Sequence, residues 1–155
     1  EGAKSKEHSR DYIIPLGKAR THLEASIEEL ENGNTLSIVT YGMGVWWATN
    51  AAEAFPGQIE ITDLRTLSPC DDEAIYASVK KHGKVLLLTE ETLNNSFIQA
   101  IAGRIQENCF MYLDAHVKCI GSLDVPAIPL NVDLEKEVLP NADKVAAAIE
   151  DLLNY

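Results

Sequence analysis

A continuous apolar segment in the middle of the chain constrains the fold most. Lys84–Glu90 (KVLLLTE) places four large apolar residues in succession, directly after Gly83. A short run of this kind is typical of a parallel strand that is buried on both faces. Helices must cover both faces of such a strand, so the segment predicts a layered α/β protein.

Strand and helix patterns alternate on either side of this segment. The sequence predicts three further strands, at Thr35–Tyr41, Gln58–Leu64 and His116–Gly121. It predicts five helices, at Arg20–Glu31, Val45–Ala54, Asp72–Lys81, Ser96–Cys109 and Ala142–Leu153. Short connections between alternating strands and helices predict an open, mostly parallel sheet with helices on both faces, a three-layer α/β/α architecture.

Polar residues at the predicted helix starts supply the expected caps. Asp71 is the expected N-cap of the third helix, Asn95 of the fourth and Asn141 of the last. Gly83 is expected to end the third helix, and a proline-rich loop is expected at Asp124–Leu130. A length of 155 residues suits one domain. We expect that domain to span residues 12–155, after a flexible polar tail at residues 1–11.

The charge balance limits the classes of partner. Lys and Arg number 13 against 24 Asp and Glu, which gives a formal net charge of −11. Repulsion between like charges argues against nucleic acid and anionic membranes as partners, and the acidic excess serves either solubility or a basic protein partner. The three cysteines lack the spacing of zinc or redox motifs, which is typical of reduced thiols in the cytoplasm. No apolar run is long enough to cross a bilayer.

The possible chemical motifs are each incomplete. The turn YGMG at 41–44 could present backbone N–H groups to a phosphate, but it lacks the full glycine pattern of a nucleotide loop. Cys70 has no histidine nearby in the sequence to activate it. Glu90 and Glu91 are neighbours in a strand and point to opposite faces. His82 is explained by its place at a helix C-terminus. We therefore assign no catalytic, cofactor-binding or metal-binding residue to this chain.

Three residues are candidates for interfaces. Trp46 and Trp47 are adjacent on a predicted helix, so one can enter the core while the other lies on the surface or at an interface. Arg65 lies at the carboxyl end of a strand, where open α/β sheets bind their ligands. The alternative, which we favour, is an internal ion pair that fixes the loop, made by Arg65 with Asp63, Asp71 or Asp72.

Four segments occur in an order that resembles a known family. DYIIPLGKA, LSIVTYG, ITDLRTLSPCDDEAIYASVKKHGKVLLLTEE and LDAHVKCIGSLDVPAIPLNVDLEKEVLPNADKVAAAIEDLL resemble in succession the C-terminal domain of the transketolase superfamily. The likeness is greatest to the beta subunit of the decarboxylating component of 2-oxo acid dehydrogenase complexes, of pyruvate or branched-chain type. Its specific parts are the DLRTLSP-x-D segment and the D-x-P-x-x-P…LE-x-x-x-LP run.

The resemblance implies a role in assembly. In such enzymes, thiamine diphosphate and magnesium are held by two other domains, which decarboxylate a 2-oxo acid and pass its acyl group to a lipoyl arm. This chain lacks the GDG motif of the family's diphosphate site, so the resemblance implies a dimerisation and docking domain that is inactive alone. The implied partners are the remaining domains and subunits of the parent enzyme, a second copy of this domain and the acyltransferase component. Asp114 and the carboxylate of Tyr155 match positions that bind the basic subunit-binding domain of the acyltransferase.

Departures from the family pattern leave other interpretations open. His116 and Cys119 stand where the family tends to have Pro and Arg, and NNSFIQ replaces a Gly-Gly-Phe-Gly run. One alternative is the same domain of a transketolase or a deoxyxylulose-phosphate synthase. The other is a free-standing α/β module with its own ligand at the edge that carries Gly42 and Asp63.

Overall fold

The computed structural model describes Ser9 and residues 11–155. The predicted tail, residues 1–11, therefore lies mostly outside the described residues. The described chain contains five strands, six α-helices and one 3-10 turn at Phe110–Tyr112. The strands are β1 (Arg20–Leu23), β2 (Leu36–Thr40), β3 (Ile59–Asp63), β4 (Val85–Thr92) and β5 (Lys118–Ser122). The helices are α1 (Ile27–Glu31), α2 (Met43–Ala52), α3 (Asp72–His82), α4 (Phe97–Cys109), α5 (Val132–Val138) and α6 (Ala142–Leu153).

The five strands form one sheet in the order β1-β3-β2-β4-β5. Strands β2 to β5 run parallel to their neighbours, and β1 pairs antiparallel with β3 at one edge. Every parallel pairing is reached through a helical connection, as a crossover between parallel strands requires. The predicted open, mostly parallel sheet is confirmed.

Alternate side chains of the central strand enter two separate cores. Leu86 and Leu88 pack with α2 and α6 on one face of the sheet. Val85 and Leu87 pack with α3 and α4 on the other face. All four side chains are fully buried, which explains why their segment is a continuous apolar run. The three-layer α/β/α architecture follows.

Local capping fixes the ends of two helices as predicted. The Asp71 carboxylate accepts a hydrogen bond from the Ala74 N–H at 3.3 Å, at the start of α3. Gly83 ends that helix in the left-handed conformation, with φ of 70°. The Asn141 side chain accepts from the Lys144 N–H at 3.0 Å, at the start of α6.

The predicted helix at Arg20–Glu31 is wrong. Its first part is the edge strand β1, and only α1, capped by Ser26, is helical. The four residues of β1 are all exposed, so the strand carries no apolar alternation by which to recognise it. Leu23, Ile27 and Leu30 have helical spacing by coincidence, because Leu23 belongs to the strand.

Two further elements differ from the sequence prediction. Asn95 does not cap α4: it adopts a left-handed conformation with φ of 60°, and Ser96 is the residue at the cap. The helix α5 has no counterpart in the sequence prediction. Its start is fixed by Asn131, whose side chain accepts hydrogen bonds from the first-turn N–H groups of Asp133 and Leu134.

Candidate functional site

The carboxyl edge of the sheet carries polar groups where three parallel strands end. Tyr41 and Gly42 follow β2, Arg65 lies two residues beyond β3, and Glu90 and Glu91 lie near the end of β4. Ligands of open α/β sheets bind at this edge. The contacts of each group therefore decide whether the edge is available for chemistry.

Two of these groups, Tyr41 and Glu91, bond to each other and to Thr89. The Tyr41 hydroxyl donates to the Glu91 carboxylate at 2.8 Å and accepts from the Thr89 hydroxyl at 2.9 Å. The same Glu91 oxygen accepts from the backbone N–H of Phe97 at 2.8 Å, at the start of α4. Burial, together with the charge of Glu91, raises the pKa of Tyr41 to about 12, although the bond from Thr89 partly offsets this. Tyr41 therefore stays protonated and joins β2 to α4.

The glycine turn after β2 opens onto an acidic groove. Gly42 has φ of 58°, and no side chain caps α2, which begins at the next residue. The groove beside it, of about 420 Å³, is lined by both Glu90 and Glu91. A phosphate at the start of α2 would lie close to two carboxylates, so repulsion offsets the attraction of the helix N-terminus.

Arg65 does not form the predicted internal ion pair. Its guanidinium donates to the Tyr12 hydroxyl and lies over that ring, with Cζ 5.7 Å from the ring centroid. The Asp63 carboxylate instead accepts from the backbone N–H of Arg65 at 3.1 Å, which holds the loop in a left-handed conformation. Asp71 is occupied by capping and Asp72 by Arg104. The predicted role of Arg65 at an interface remains a prediction.

Cys70 sits beside α3 with a thiol that is hard to ionise. Burial, followed by the charge of Asp72, raises the pKa of the Cys70 thiol. Asp72 is held by Arg104, whose Nε lies 3.1 Å from the Asp72 carboxylate. Because the thiolate is the nucleophilic form, these surroundings disfavour nucleophilic chemistry at Cys70.

A buried polar network under α3 escaped the sequence analysis. The Glu60 carboxylate, on β3, accepts from the Ser78 hydroxyl at 2.6 Å, bonds to Lys81 and lies 3.1 Å from Nε2 of His82. The other ring nitrogen of His82 lies 2.8 Å from the Thr35 hydroxyl. His82 is thus a buried partner of a carboxylate, and its place at a helix end is not a sufficient explanation. In the sequence, the one sign of this network is that Glu60 lies between two isoleucines in a strand predicted to be buried.

The amino edge of the sheet brings together the two predicted docking residues. Asp114 is exposed, and its backbone N–H donates to the Gly83 carbonyl at 2.8 Å. Tyr155 is 68% exposed, and its ring packs edge-on against His116, with centroids 5.6 Å apart. The end of α6 is tied to the start of β4, because the Lys84 ammonium donates to the Leu153 carbonyl at 3.1 Å. Both residues therefore lie at the same end of the sheet.

The paired tryptophans lie on α2, near α5. Trp47 is partly buried and packs against the core under α2, whereas Trp46 is 41% exposed. One tryptophan contacts the core and the other faces outward, as their adjacency predicted. The outward position of Trp46 is compatible with an interface, which remains a prediction.

The described residues hold neither a candidate metal site nor a membrane-spanning helix. Across Ser9 and residues 11–155, no group of three or more His, Cys, Asp and Glu side chains is arranged to hold a metal ion. No helix within the same part of the chain is long and apolar enough to cross a membrane.

Comparison with known proteins gives the family. Residues 25–145 match the family model described as "Transketolase, C-terminal domain". The chain belongs to this family. The match confirms the resemblance inferred from the DLRTLSP-x-D and D-x-P-x-x-P segments.

This transketolase C-terminal domain is also similar to curated beta subunits. It is 38% identical to the 2-oxoisovalerate dehydrogenase subunit beta of Bacillus subtilis (strain 168) over 148 residues, which are 94% of this chain and 43% of that protein. It is 36% identical to the pyruvate dehydrogenase E1 component subunit beta of Rhizobium meliloti (strain 1021), over 90% of this chain and 29% of that protein. The mitochondrial 2-oxoisovalerate dehydrogenase subunit beta 2 of Arabidopsis thaliana is 33% identical over 94% of this chain and 38% of its own length.

A solved structure supports the fold. The structure titled "Split gene transketolase, inactive beta4 tetramer" superposes with a TM-score of 0.76 and 23% sequence identity, over 95% of this chain and 46% of that chain. At this identity, the likeness concerns the arrangement of the sheet and its helices. The transketolase C-terminal domain described here spans less than half the length of each relative reported above.

Proposed function

We propose that this chain is the assembly and docking domain of a thiamine-diphosphate-dependent 2-oxo acid dehydrogenase. The observation that carries the proposal is the similarity of almost the whole chain to beta subunits of two such dehydrogenases. The parent enzyme would be an oxidoreductase that decarboxylates a 2-oxo acid and transfers the acyl group to a lipoyl arm. We place it in the cytoplasm, in keeping with three free cysteines.

The residues of this domain do not fit the coenzyme itself. A diphosphate with its magnesium ion needs a set of metal-ligating side chains. Among Ser9 and residues 11–155, no group of three or more His, Cys, Asp and Glu side chains is arranged to hold a metal ion. Glu91 is moreover occupied by Tyr41 and by the start of α4. We infer that thiamine diphosphate and magnesium are held by other parts of the parent enzyme, which carry out its chemical steps.

Docking would use the amino edge of the sheet. Asp114 and Tyr155 are exposed there, and the domain as a whole has a net charge of −11. Opposite charges across an interface accelerate encounter and add modest affinity. We infer that residues 12–155 act as one folding unit that carries this edge. Its partner is the basic subunit-binding domain of the acyltransferase.

Removing the charge of Asp114 should weaken this docking. In a pull-down at low salt with an immobilised acyltransferase subunit-binding domain, Asp114→Asn should lower the affinity about threefold to tenfold, as expected for one exposed ion pair. Asn keeps the size of the side chain, so packing against Gly83 is retained while the charge is lost. The loss should shrink at high salt, because salt screens exposed charges.

Asp124→Asn is the matched control for the docking test. Asp124 follows β5 at the opposite end of the sheet, is exposed, and its replacement changes the net charge equally. The affinity of Asp124→Asn for the subunit-binding domain should stay within about twofold of that of the unmodified chain, because screened charges act only over a short range. Equal affinity of Asp114→Asn and the unmodified chain would remove Asp114 from the docking surface.

A further inference from the structure

One lateral side of the sheet ends in an exposed strand. Strand β1 stands last in the strand order and pairs only with β3, so among the described residues no strand covers its outer side. All four residues of β1 are exposed. The backbone N–H and C=O groups that point outward from such a strand lack strand partners, and an extended peptide can pair with them. We call this outer side of β1 the β1 edge.

Contacts before and after β1 hold the strand in place. The backbone N–H of Ala19 donates to the Asp71 carboxylate at 3.0 Å. The same carboxylate caps α3, so a single side chain joins the start of β1 to that helix. After the strand, the backbone N–H of Ser26 donates to the Gly57 carbonyl at 2.7 Å. A strand that is fixed in advance loses little conformational entropy when a peptide binds.

A groove lies between β1 and α3. It has a volume of about 310 Å³, and its lining includes Thr21 of β1, Thr62 of β3, and Ala74 and Ala77 of α3. The two alanines are three positions apart, so they lie on one face of the helix, and their small side chains leave space beside the strand. We call this feature the β1–α3 groove. A strand added to the β1 edge would direct every second side chain towards it.

The β1–α3 groove contains hydroxyl groups that are not in use. Thr62 is 3% exposed and lines the groove, yet its hydroxyl forms no hydrogen bond with any residue among Ser9 and residues 11–155. Its cross-strand neighbour is Thr21, whose hydroxyl is also unbonded within that part of the chain. Residues opposite each other in paired strands project to the same face, so the two hydroxyls lie together. Because buried polar groups usually have partners, the groove favours a ligand with a polar side chain.

The other face of β1 is basic. Arg20 precedes Thr21 in the strand, so its side chain points away from the groove. Lys18 and Arg20 are exposed, and neither forms an ion pair with another residue in the described part of the chain. The Asp63 carboxylate, opposite Arg20 in register, accepts from the backbone N–H of Arg65 instead. Two unpaired cations beside an open strand favour a partner with acidic side chains.

We propose that the β1 edge binds an extended acidic peptide as an added strand. The peptide main chain pairs with β1, its hydroxyl side chains enter the β1–α3 groove, and its acidic side chains face Lys18 and Arg20. A second copy of β1 fits less well, because it would bring the same cations opposite each other. The inference goes beyond the proposed function, since β1 is a lateral strand and the docking residue Asp114 lies beside the start of β4.

A synthetic peptide tests the inference. An eight-residue peptide of alternating threonine and glutamate, labelled with fluorescein, places hydroxyls on one face of an extended strand and carboxylates on the other. Its anisotropy should rise with chain concentration and give a dissociation constant of about 10–500 μM. Non-specific attraction cannot imitate this result, because the chain itself has a net charge of −11. A flat titration up to about 1 mM overturns the proposal.

The same peptide with every backbone amide N-methylated is the control for strand pairing. It keeps the side chains and the charge but has no N–H groups to donate to β1, so it should show no saturable binding. Amide hydrogen exchange then locates the contact, since the unmethylated peptide should slow exchange at residues 20–23. Binding of both peptides with equal affinity contradicts strand addition. Protection of residues 20–23 that grows with chain concentration in the absence of peptide would make a second copy the occupant.

Two exposed residues test the two faces of β1. Arg20→Gln should weaken peptide binding about threefold to tenfold, as expected for one exposed ion pair. Its matched control is Lys136→Gln, which removes one charge from α5, a helix joined to the residue after β5 on the far side of the sheet. Ala77→Leu should weaken binding at least about tenfold, because the larger side chain fills the β1–α3 groove. Its matched control is Ala100→Leu, on an exposed position of α4. Affinities equal to those of the two controls rule out the β1 edge as the peptide site.

Discussion

Replacing Gly44 with alanine is expected to destabilise the domain by about 2–4 kcal/mol, since it forces an added methyl group into a tightly packed contact. Gly44 is buried in the first turn of α2, against the end of β2. A Cβ at this position would overlap the hydroxyl oxygen of Thr40, a fully buried residue. That hydroxyl donates to the Leu88 carbonyl at 2.8 Å, so it cannot rotate away without losing a buried hydrogen bond.

The effect of Gly44→Ala can be measured by thermal unfolding. We expect the melting temperature to fall by about 5–15 °C, at about 2–4 °C per kcal/mol for a domain of this size. Gly103→Ala is the matched control, because Gly103 is exposed in α4 and an added Cβ would meet no atom within 4 Å. Gly103→Ala should leave the stability of the domain unchanged or raise it by up to about 1 kcal/mol. An unchanged melting temperature in Gly44→Ala would show that α2 lies farther from β2.

Replacing Glu60 with glutamine should lower the free energy of unfolding by about 2–3 kcal/mol at neutral pH, because it removes the charged carboxylate from a buried network. Glu60 is 5% exposed and accepts bonds from Ser78 and Lys81, while His82 lies beside it. Glutamine keeps the shape of the side chain but leaves Lys81 and His82 without a carboxylate partner. Urea unfolding measures the loss, with Glu107→Gln, an exposed glutamate of α4, as the control. A cost equal to that of the control would show that the network contributes no stability.

The contacts of Glu60 also predict how the stability of the domain depends on pH. Burial alone would raise the pKa of the Glu60 carboxyl, but hydrogen bonds from His82, Lys81 and Ser78 outweigh it and lower the pKa from 4.5 to about 2. A carboxyl with a lower pKa in the folded chain than in the unfolded chain stabilises the fold above the unfolded pKa. This contribution is lost as the pH falls from about 5 towards 2. The unmodified chain should therefore lose stability more steeply than Glu60→Gln over this interval; parallel curves would contradict the assignment.

The layered fold was predictable because its determinants are local or repeat along the chain. The apolar run Val85–Leu88 specifies a strand buried on both faces, and Asp71 and Asn141 cap helices through bonds that span three residues. The edge strand β1 was not predictable in this way. Its side chains are exposed, so its place depends on backbone pairing with β3 rather than on any apolar pattern.

The side-chain contacts of the site depend on tertiary packing, which explains why the sequence did not reveal them. Glu60 meets His82 only because α3 packs across β3, and 22 positions separate the two residues. Glu91 bonds to Tyr41, which lies 50 positions earlier in the chain, and to the start of α4. The family pattern, by contrast, points to Asp114 and Tyr155 as docking residues. Both lie at the amino edge of the sheet, and their role in docking remains a prediction.

Calorimetric titration with thiamine diphosphate and magnesium tests the central claim most directly. An assembly domain that leaves the coenzyme to other parts of its enzyme should give no saturable heat with this ligand. The same preparation should give saturable heat with the basic subunit-binding domain of the acyltransferase, at an affinity that falls with salt. Saturable binding of the coenzyme to this chain alone would contradict the account.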